Sequence, residues 1–481
     1  MLAQNNRLAN TEYLLAFQFV LKSYSKNNNN NNNNNNLMIL RLVCSTFNNL
    51  VLNNISRLNI RCSYEHDCCK ILRRSIRTML NLTCINLEIY HNHEMRTEYG
   101  HYIKVTKSNL TKFLQSIVNN LPKLTSLGIR YGSNSVEDVN TELLANSIAT
   151  LTALNSLSLD VPANGIVKLT TLKSTSLKVP EPQAYKLVPI LDKLPYLKSL
   201  KIQCESIIPL LVQTLANTNM NLTKLDLSHN KIGDSEIALL VPGLTKQTDL
   251  VSLILANNLI TDAGMELLGP IICQMTKLTS INIKCNKISS LFTMASFVFS
   301  LNKHKLQNLT DINLGSNCVS DYGYISLLGT LAEQTNLTSL GLDGCCFVSM
   351  CNFYGRKKLE RVFNKLPNLK CLSLANNKLK LGVPSLAKLT NLMSLDLSNN
   401  DLGSDEISLL APSLIRMTNM TSLNIESNPI EGLAGAQSLI PILRGMGDLK
   451  FLKIDGFHLG AEGEALLLDV FRTMPELRYA F

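Results

Sequence analysis

Between Leu222 and Phe457 the chain repeats nine times a nine-residue pattern with apolar residues at positions 1, 4 and 6 and, in most copies, Asn at position 9. The copies are Leu222–Asn230, Leu250–Asn258, Leu278–Asn286, Leu309–Asn317, Leu337–Cys345, Leu369–Asn377, Leu392–Asn400, Met420–Asn428 and Leu449–Phe457. Apolar residues two apart belong to one face of a strand. A unit this short cannot bury that face alone, so successive units must stack and their short strands must run parallel. The Asn at position 9 falls where the chain leaves the strand, and its amide can satisfy backbone groups that the turn leaves unpaired. Cys345 takes the Asn position in one unit, and Phe457 takes it in the last, as suits a terminal repeat.

The spacing between units says what connects the strands. Starts lie 28, 28, 31, 28, 32, 23, 28 and 29 residues apart, which leaves most units room for a return helix. Asp234, Asp262 and Asp321 each stand four residues after the turn Asn, ahead of amphipathic runs. There a carboxylate is expected to accept hydrogen bonds from orphan amides and to favour the positive helix end. The 23-residue unit from Leu369 to Leu392 is too short for the same helix, so a tighter segment and a local change in curvature are expected there.

This pattern resembles the leucine-rich repeat, and its long units resemble the ribonuclease-inhibitor type. The resemblance implies an α/β solenoid shaped like a horseshoe, with a parallel sheet on the concave side and mostly helices on the convex side. Upstream the pattern decays. Leu124–Ile129, Leu154–Leu159 and Leu197–Ile202 keep the apolar positions without the Asn, and Leu82–Leu87 is a further candidate. Pro162, Pro180, Pro182, Pro189 and Pro195 make irregular connections the expectation between 160 and 195. Residues 82 to 481 read as one continuous domain, with 61–220 a basic region of degenerate repeats and 221–481 the regular repeats and their C-terminal cap.

The net charge of +10 is unevenly placed: Lys plus Arg against Asp plus Glu is 16 to 6 in residues 1–130 and 30 to 30 thereafter. Such a basic segment can face an acidic partner, but Arg41, Arg57, Arg61, Arg73, Arg74 and Arg77 are interspersed with Leu and Ile rather than stacking aromatics. They read as solvated faces of short helices, and no nucleic acid is expected. No run of 18 apolar residues is present, so no membrane span is expected. The short apolar run Leu14–Leu21 lacks a cleavage site, and the 13 cysteines have no framework spacing, which points to reduced thiols and a cytoplasmic or nuclear location. Cys62, His66, Cys68, Cys69, Cys84, His91 and His93 gather closely but without paired-ligand spacing, so no metal is expected. Sequons at Asn81, Asn221, Asn308 and Asn336 coincide with repeat starts and read as by-products of the repeat rather than glycan sites. Arg356, Lys357, Lys358 and Arg361 form a small basic face on an expected helix.

Residues 1–60 have a different character. Asn27–Asn36 is an uninterrupted Asn tract that cannot bury a core. It is flanked by the apolar segments Tyr13–Tyr24 and Leu37–Val51. In the second, Leu40, Arg41, Leu42, Val43 and Cys44, with Phe47 three residues on, resemble the distal half of an F-box. The Leu-Pro opening of that family is missing, and Asn10-Thr11-Glu12 stands in its place. The resemblance implies a small helical segment that docks on the adaptor subunit of a cullin-type ubiquitin ligase through Leu40, Leu42, Val43, Cys44 and Phe47, while the repeats select the substrate. The bland reading of the same helices is a cap over the first repeat.

No Gly-rich phosphate loop, nucleophile elbow or HExxH is present, so neither catalysis nor a cofactor is expected. The expected function is protein binding by a monomer. The concave positions 3, 5 and 7 offer Lys224, Asp226, Asn282, Lys284, Asp343, Asp396, Glu426, Phe451, Lys453 and Asp455 as partner-binding residues, with Phe451 the only aromatic. The alternative is a repeat scaffold or signalling regulator without a ligase role. Long repeats of this type also serve in Ran GTPase-activating proteins, so a small GTPase is one such partner.

Overall fold

The computed structural model describes residues 57–63, 83–90, 123–131, 153–159, 172–178, 194–204, 208–216, 220–303, 308–317, 331–345, 353–379, 383–455 and 459–480, with single positions at 121, 148, 151, 191, 327 and 329. The F-box-like segment, the Asn tract, Asp321 and Phe457 lie outside them. The chain forms two compact units, residues 1–180 with 189–196, and residues 181–188 with 197–481.

In the first unit, strands β1 (Arg57–Ser63), β2 (Cys84–Tyr90), β3 (Ser126–Tyr131), β4 (Ser156–Leu159) and β5 (Ser174–Lys178) pair in parallel and in chain order. Their register places Leu58, Ile85, Leu127, Leu157 and Thr175 in one column and Ile60, Leu87, Ile129, Leu159 and Leu177 in another. Ile85, Leu127, Ile129, Leu157, Leu159 and Leu177 are buried, so the degenerate copies are repeats that kept their inward face. Arg57 and Arg61 lie in β1, not on helices. The positions between them pair with the apolar columns of β2, and that period of two defines a strand.

Strand β5 escaped the sequence pattern because Leu172 and Leu177 keep positions 1 and 6 while Thr175 occupies position 4. Thr175 is 1% exposed and its hydroxyl has no hydrogen-bond partner among the described residues. Val at this position keeps the branched shape and removes the unpaired group. Thr175→Val is expected to raise stability by about 1 kcal/mol, read as a higher urea midpoint with an unchanged slope.

In the second unit, eleven strands run parallel: β6 (Ser199–Gln203), β7 (Lys224–Asp226), β8 (Ser252–Ile254), β9 (Ser280–Asn282), β10 (Asp311–Asn313), β11 (Ser339–Gly341), β12 (Cys371–Ser373), β13 (Ser394–Asp396), β14 (Ser422–Asn424), β15 (Phe451–Lys453) and β16 (Arg478–Ala480). Position 4 of every unit falls in one column, Leu225, Leu253, Ile281, Ile312, Leu340, Leu372, Leu395, Leu423 and Leu452. All the residues at positions 1, 4 and 6 of the nine copies are at most 2% exposed. The sequence pattern missed β16, where Tyr479 pairs with Leu452 in the inward column and packs on Phe471 with ring centroids 4.4 Å apart.

The strands are short because the chain turns at position 8. His229, Asn257, Cys285, Ser316, Asn376, Asn399 and Ser427 all have φ between 52° and 61°, and Gly344 has 59°. Side chains that tolerate this left-handed conformation are mostly Asn, Gly and short polar residues. The Asn at position 9 then turns inward. Asn258 accepts the amides of Asn230 (3.0 Å) and Ile232 (3.1 Å) and donates to the carbonyls of Leu227 (3.0 Å) and Leu255 (2.9 Å). Asn400 and Asn428 repeat the arrangement. At Cys345 the amide is still held by Asn377, and the thiol reaches the Asp343 carbonyl at 3.6 Å where an Asn amide would donate.

The connections on the other side of the sheet are helices α1 (Ile208–Ala216), α2 (Asp234–Leu244), α3 (Asp262–Ile272), α4 (Leu291–Lys303), α5 (Phe353–Asn364), α6 (Ser404–Leu414), α7 (Gly432–Gly445) and α8 (Gly460–Arg472). The 23-residue unit has instead a 3-10 segment at Val383–Lys388. Asp234 and Asp262 do not cap their own helices as expected. Each is the first helical residue, and its carboxylate reaches into the following unit: Asp234 accepts the amides of Thr261 (2.9 Å) and Gly264 (3.0 Å), and Asp262 accepts those of Ser289 (3.2 Å) and Ser290 (2.9 Å). The carboxylates therefore satisfy the orphan amides of the next connection and tie units together. The capping of α2 and α6 falls to Glu236 and Glu406, which accept the Gly233 and Gly403 amides at 2.9 Å.

The Asn-Leu-Thr repeats have a similar origin. The hydroxyls of Thr223, Thr310 and Thr338 donate to carbonyls of the preceding unit (3.1, 3.3 and 3.2 Å), and the Asn308 amide donates to Thr276 (3.0 Å).

Candidate functional site

Positions 3, 5 and 7 of the second unit form the sheet face opposite the helices, and the expected binding residues of this face divide into two kinds. Most already hold bonds within the unit. Asp226 is buried, accepts the Ser228 hydroxyl (2.6 Å) and amide (3.0 Å), and pairs with Lys201 at 2.9 Å. Burial pushes its carboxyl up, but the Ser228 hydroxyl, Lys201 and the Ser228 amide outweigh this and hold it below the ordinary carboxylate value. Asp396 accepts the Ser398 hydroxyl (2.6 Å) and the Asn424 amide (3.1 Å). Asn282 accepts the Lys284 amide at 3.0 Å, and Asp455 accepts the amide of Ser427.

One pair skips a unit. Lys284, Gly315 and Asp343 occupy position 7 of three successive units, and the Lys284 ammonium bonds Asp343 across Gly315. A Cβ on Gly315 would lie 2.7 Å from both the backbone nitrogen and oxygen of Asp343, so the middle unit approaches too closely for a side chain. The Ser373 hydroxyl donates to the other Asp343 oxygen, and the Asp343 side chain is 7% exposed against 32% for Lys284.

The second kind points into solvent. Lys224, Glu426, Phe451 and Lys453 are exposed. Phe451 is 51% exposed, and the Arg478 guanidinium carbon lies 5.9 Å from its ring centroid. Phe451 and Arg478 are register partners in β15 and β16, so the stacked pair stands on rigid neighbouring strands. An aromatic and an Arg are the residue types that dominate interface energetics, and here they come together.

Of the ten expected residues, Phe451, Lys453 and Glu426 at the β14–β16 end and Lys224 at the far end are exposed. The other six, Asp226, Asn282, Lys284, Asp343, Asp396 and Asp455, hold internal bonds. Leu40, Leu42, Val43, Cys44 and Phe47 lie outside the described residues. Sequence reasoning missed Lys201, Ser373 and Arg478. Lys201 was available, since it holds position 5 of a degenerate copy and is the register partner of Asp226. Arg478 was not, because its unit begins with Glu476 in place of Leu.

Among the described residues no group of three or more His, Cys, Asp or Glu is placed to hold a metal, and no helix is long and apolar enough to cross a membrane. Among the described cysteines, Cys204, Cys273 and Cys345 are buried thiols. Arg361 and Lys357 are exposed on α5.

Comparison with known proteins agrees with the repeat. A leucine-rich-repeat family model matches residues 218–235 and 388–411. No curated protein matches the chain. Among solved structures, a leucine-rich-repeat protein of Leptospira interrogans aligns over 91% of this chain and 98% of its own at 17% identity and a TM-score of 0.38. An internalin of Listeria monocytogenes aligns over 83% and 87% at 18% identity and a TM-score of 0.29. What the stacked strands, the asparagine rungs and the matched segments share is one repeat, and the fold they build is a leucine-rich-repeat solenoid.

Proposed function

We propose that this chain is a non-enzymatic adaptor that holds a protein partner on the β14–β16 end of its sheet face, with Phe451 and Arg478 as the anchor. The exposed aromatic–guanidinium pair, on a face where Asp226, Lys284, Asp343 and Asp396 already hold internal bonds, carries this reading. Binding at the Lys284–Asp343 end would break buried bonds, whereas Phe451 has apolar area to bury and no bond to lose. Glu426 and Lys453 flank it with one charge of each sign, a rim that sets orientation more than affinity. Once the partner is isolated with the purified chain, Phe451→Ala is expected to weaken it by about 2 kcal/mol, roughly thirtyfold, with the thermal midpoint unchanged. Equal binding by Phe451→Ala would remove this end of the face from the interface.

The F-box resemblance of Leu40–Phe47 supports a finer version, in which the partner is the substrate of a cullin-type ubiquitin ligase and the N-terminal segment recruits the ligase adaptor. The expected result is capture of the full chain by the purified adaptor, lost in Leu42→Asp with the unfolding transition of the repeats unchanged. Absence of capture by the unaltered chain would leave a repeat scaffold whose N-terminal segment serves only as a cap.

A further inference from the structure

The Phe451–Arg478 pair constrains the chemistry a partner must bring. The two residues are register partners on β15 and β16, and the guanidinium carbon stands 5.9 Å from the ring centroid. Stacking of this kind engages the flat face of a guanidinium and none of its N–H groups. Neighbouring cations are already neutralised: Lys450 pairs with Glu476 at 3.2 Å and Arg472 with Asp469 at 2.6 Å. Among the described residues no carboxylate pairs with Arg478 and no acceptor takes its side-chain hydrogens. The ring therefore orients a fork of N–H donors whose hydrogen bonds are unspent. Lys453 adds a second cation. It lies two residues beyond Phe451 on the same face of β15, about 7 Å further along the strand. It is exposed, its register partner is Asn424 rather than an acid, and no described carboxylate pairs with it.

A planar donor fork beside an apolar ring is complementary to a carboxylate carried next to an apolar side chain. The carboxylate takes two parallel N–H bonds from Arg478, and the apolar side chain covers Phe451. A phosphate fits the same donors, and the acids at this end decide between the two. Glu426 is exposed at position 7 of the unit before Phe451, and Asp455 holds position 7 of the unit that carries it. These carboxylates oppose a phosphate, with its charge of about −2, roughly twice as strongly as they oppose one more carboxylate. We propose that the β14–β16 end of the sheet face reads an acidic peptide segment, an Asp or Glu adjoining an aliphatic or aromatic residue, with Arg478 as the carboxylate receptor and Lys453 as the second cation. The proposal rests on the reading of this end as the partner face and adds the chemistry that the partner presents to it.

Binding of the purified full chain to short synthetic peptides tests this. The probes carry Glu-Leu or Asp-Phe at their centre, with Gln-Leu, Asn-Phe and phosphoserine-Leu analogues in the same flanking sequence. The expected result is retention of the acidic peptides, a loss of at least about tenfold in the amide analogues, and phosphoserine peptides that bind no better than the carboxylates. Arg478→Gln should erase the difference between the Glu-Leu and Gln-Leu peptides and leave the thermal midpoint unchanged, since the side chain is exposed. Arg478→Lys keeps the charge without the fork and should retain part of the difference. No binding of any acidic peptide, equal binding by the unaltered chain and Arg478→Gln, or a preference for phosphoserine would each overturn the proposal. The isolated protein partner separates it from the reading beneath it. Affinity lost in Phe451→Ala but unchanged in Arg478→Gln would keep the interface and discard the acidic motif, whereas affinity unchanged in both variants would remove the interface itself.

Discussion

Asn258→Ala is expected to destabilise the second unit by about 3–5 kcal/mol, although it deletes one small polar side chain. The side chain is 5% exposed and joins two units: its carbonyl oxygen holds the Asn230 and Ile232 amides, and its amide holds the Leu227 and Leu255 carbonyls. Alanine leaves all four backbone groups without partners in a space closed by leucines. A buried group so orphaned loses about 1–3 kcal/mol, and partial relaxation keeps the total below the sum. Asn258→Asp should do little better, because a carboxylate keeps the acceptor but faces two carbonyls with no hydrogen to give. Asn257→Ala is the control. Its residue is exposed with φ 56°, so the loss is the left-handed strain alone, about 1 kcal/mol. Urea midpoints measured for the three variants separate the readings. Equal losses at 257 and 258 would show that the backbone conformation matters and the rung does not.

The contrast between these two asparagines also shows how far the sequence was legible. Position 9 could be read because one residue type recurs there for one reason. Position 8 could not, since His229, Asn257, Cys285 and Ser316 share a backbone angle and no side-chain chemistry. The strands were legible wherever the Leu columns persisted and were lost at β5, where Thr175 interrupts the column, and at β16, where the pattern frays beyond the last regular unit. Asp234 was read correctly as an acceptor of orphan amides but assigned to the wrong helix, because local spacing does not reveal that the nearest unpaired amides belong to the next unit. The binding face shows the same limit. Its outward positions follow from the period, whereas which of its charges are already spoken for depends on neighbours 25 to 59 residues away.

Lys284→Met is expected to destabilise the second unit by about 3 kcal/mol, more than the loss of a surface ion pair would suggest. Asp343 is the reason. Its side chain is 7% exposed, and without the ammonium it keeps only the Ser373 hydroxyl across the units. Gly315 between them offers no group in compensation, and no side chain fits there, because a Cβ would meet the Asp343 backbone. Removing one partner of such a pair strands the other charge, whereas removing both does not, so Lys284→Met/Asp343→Leu should recover at least half of the loss. A double variant as unstable as the single one would show that the pair itself stabilises the unit and that desolvation of Asp343 is minor. The same variants separate fold from function on one face. Lys284 stands six strands before β15, which carries Phe451, and the Lys284–Asp343 bond is internal. Lys284→Met should therefore lower the urea midpoint and leave partner affinity unchanged, the reverse of Phe451→Ala. If Lys284→Met instead weakens the partner at temperatures where the unit is fully folded, the interface extends along the sheet to β9, and the partner must displace or reuse the charges that the free protein keeps paired.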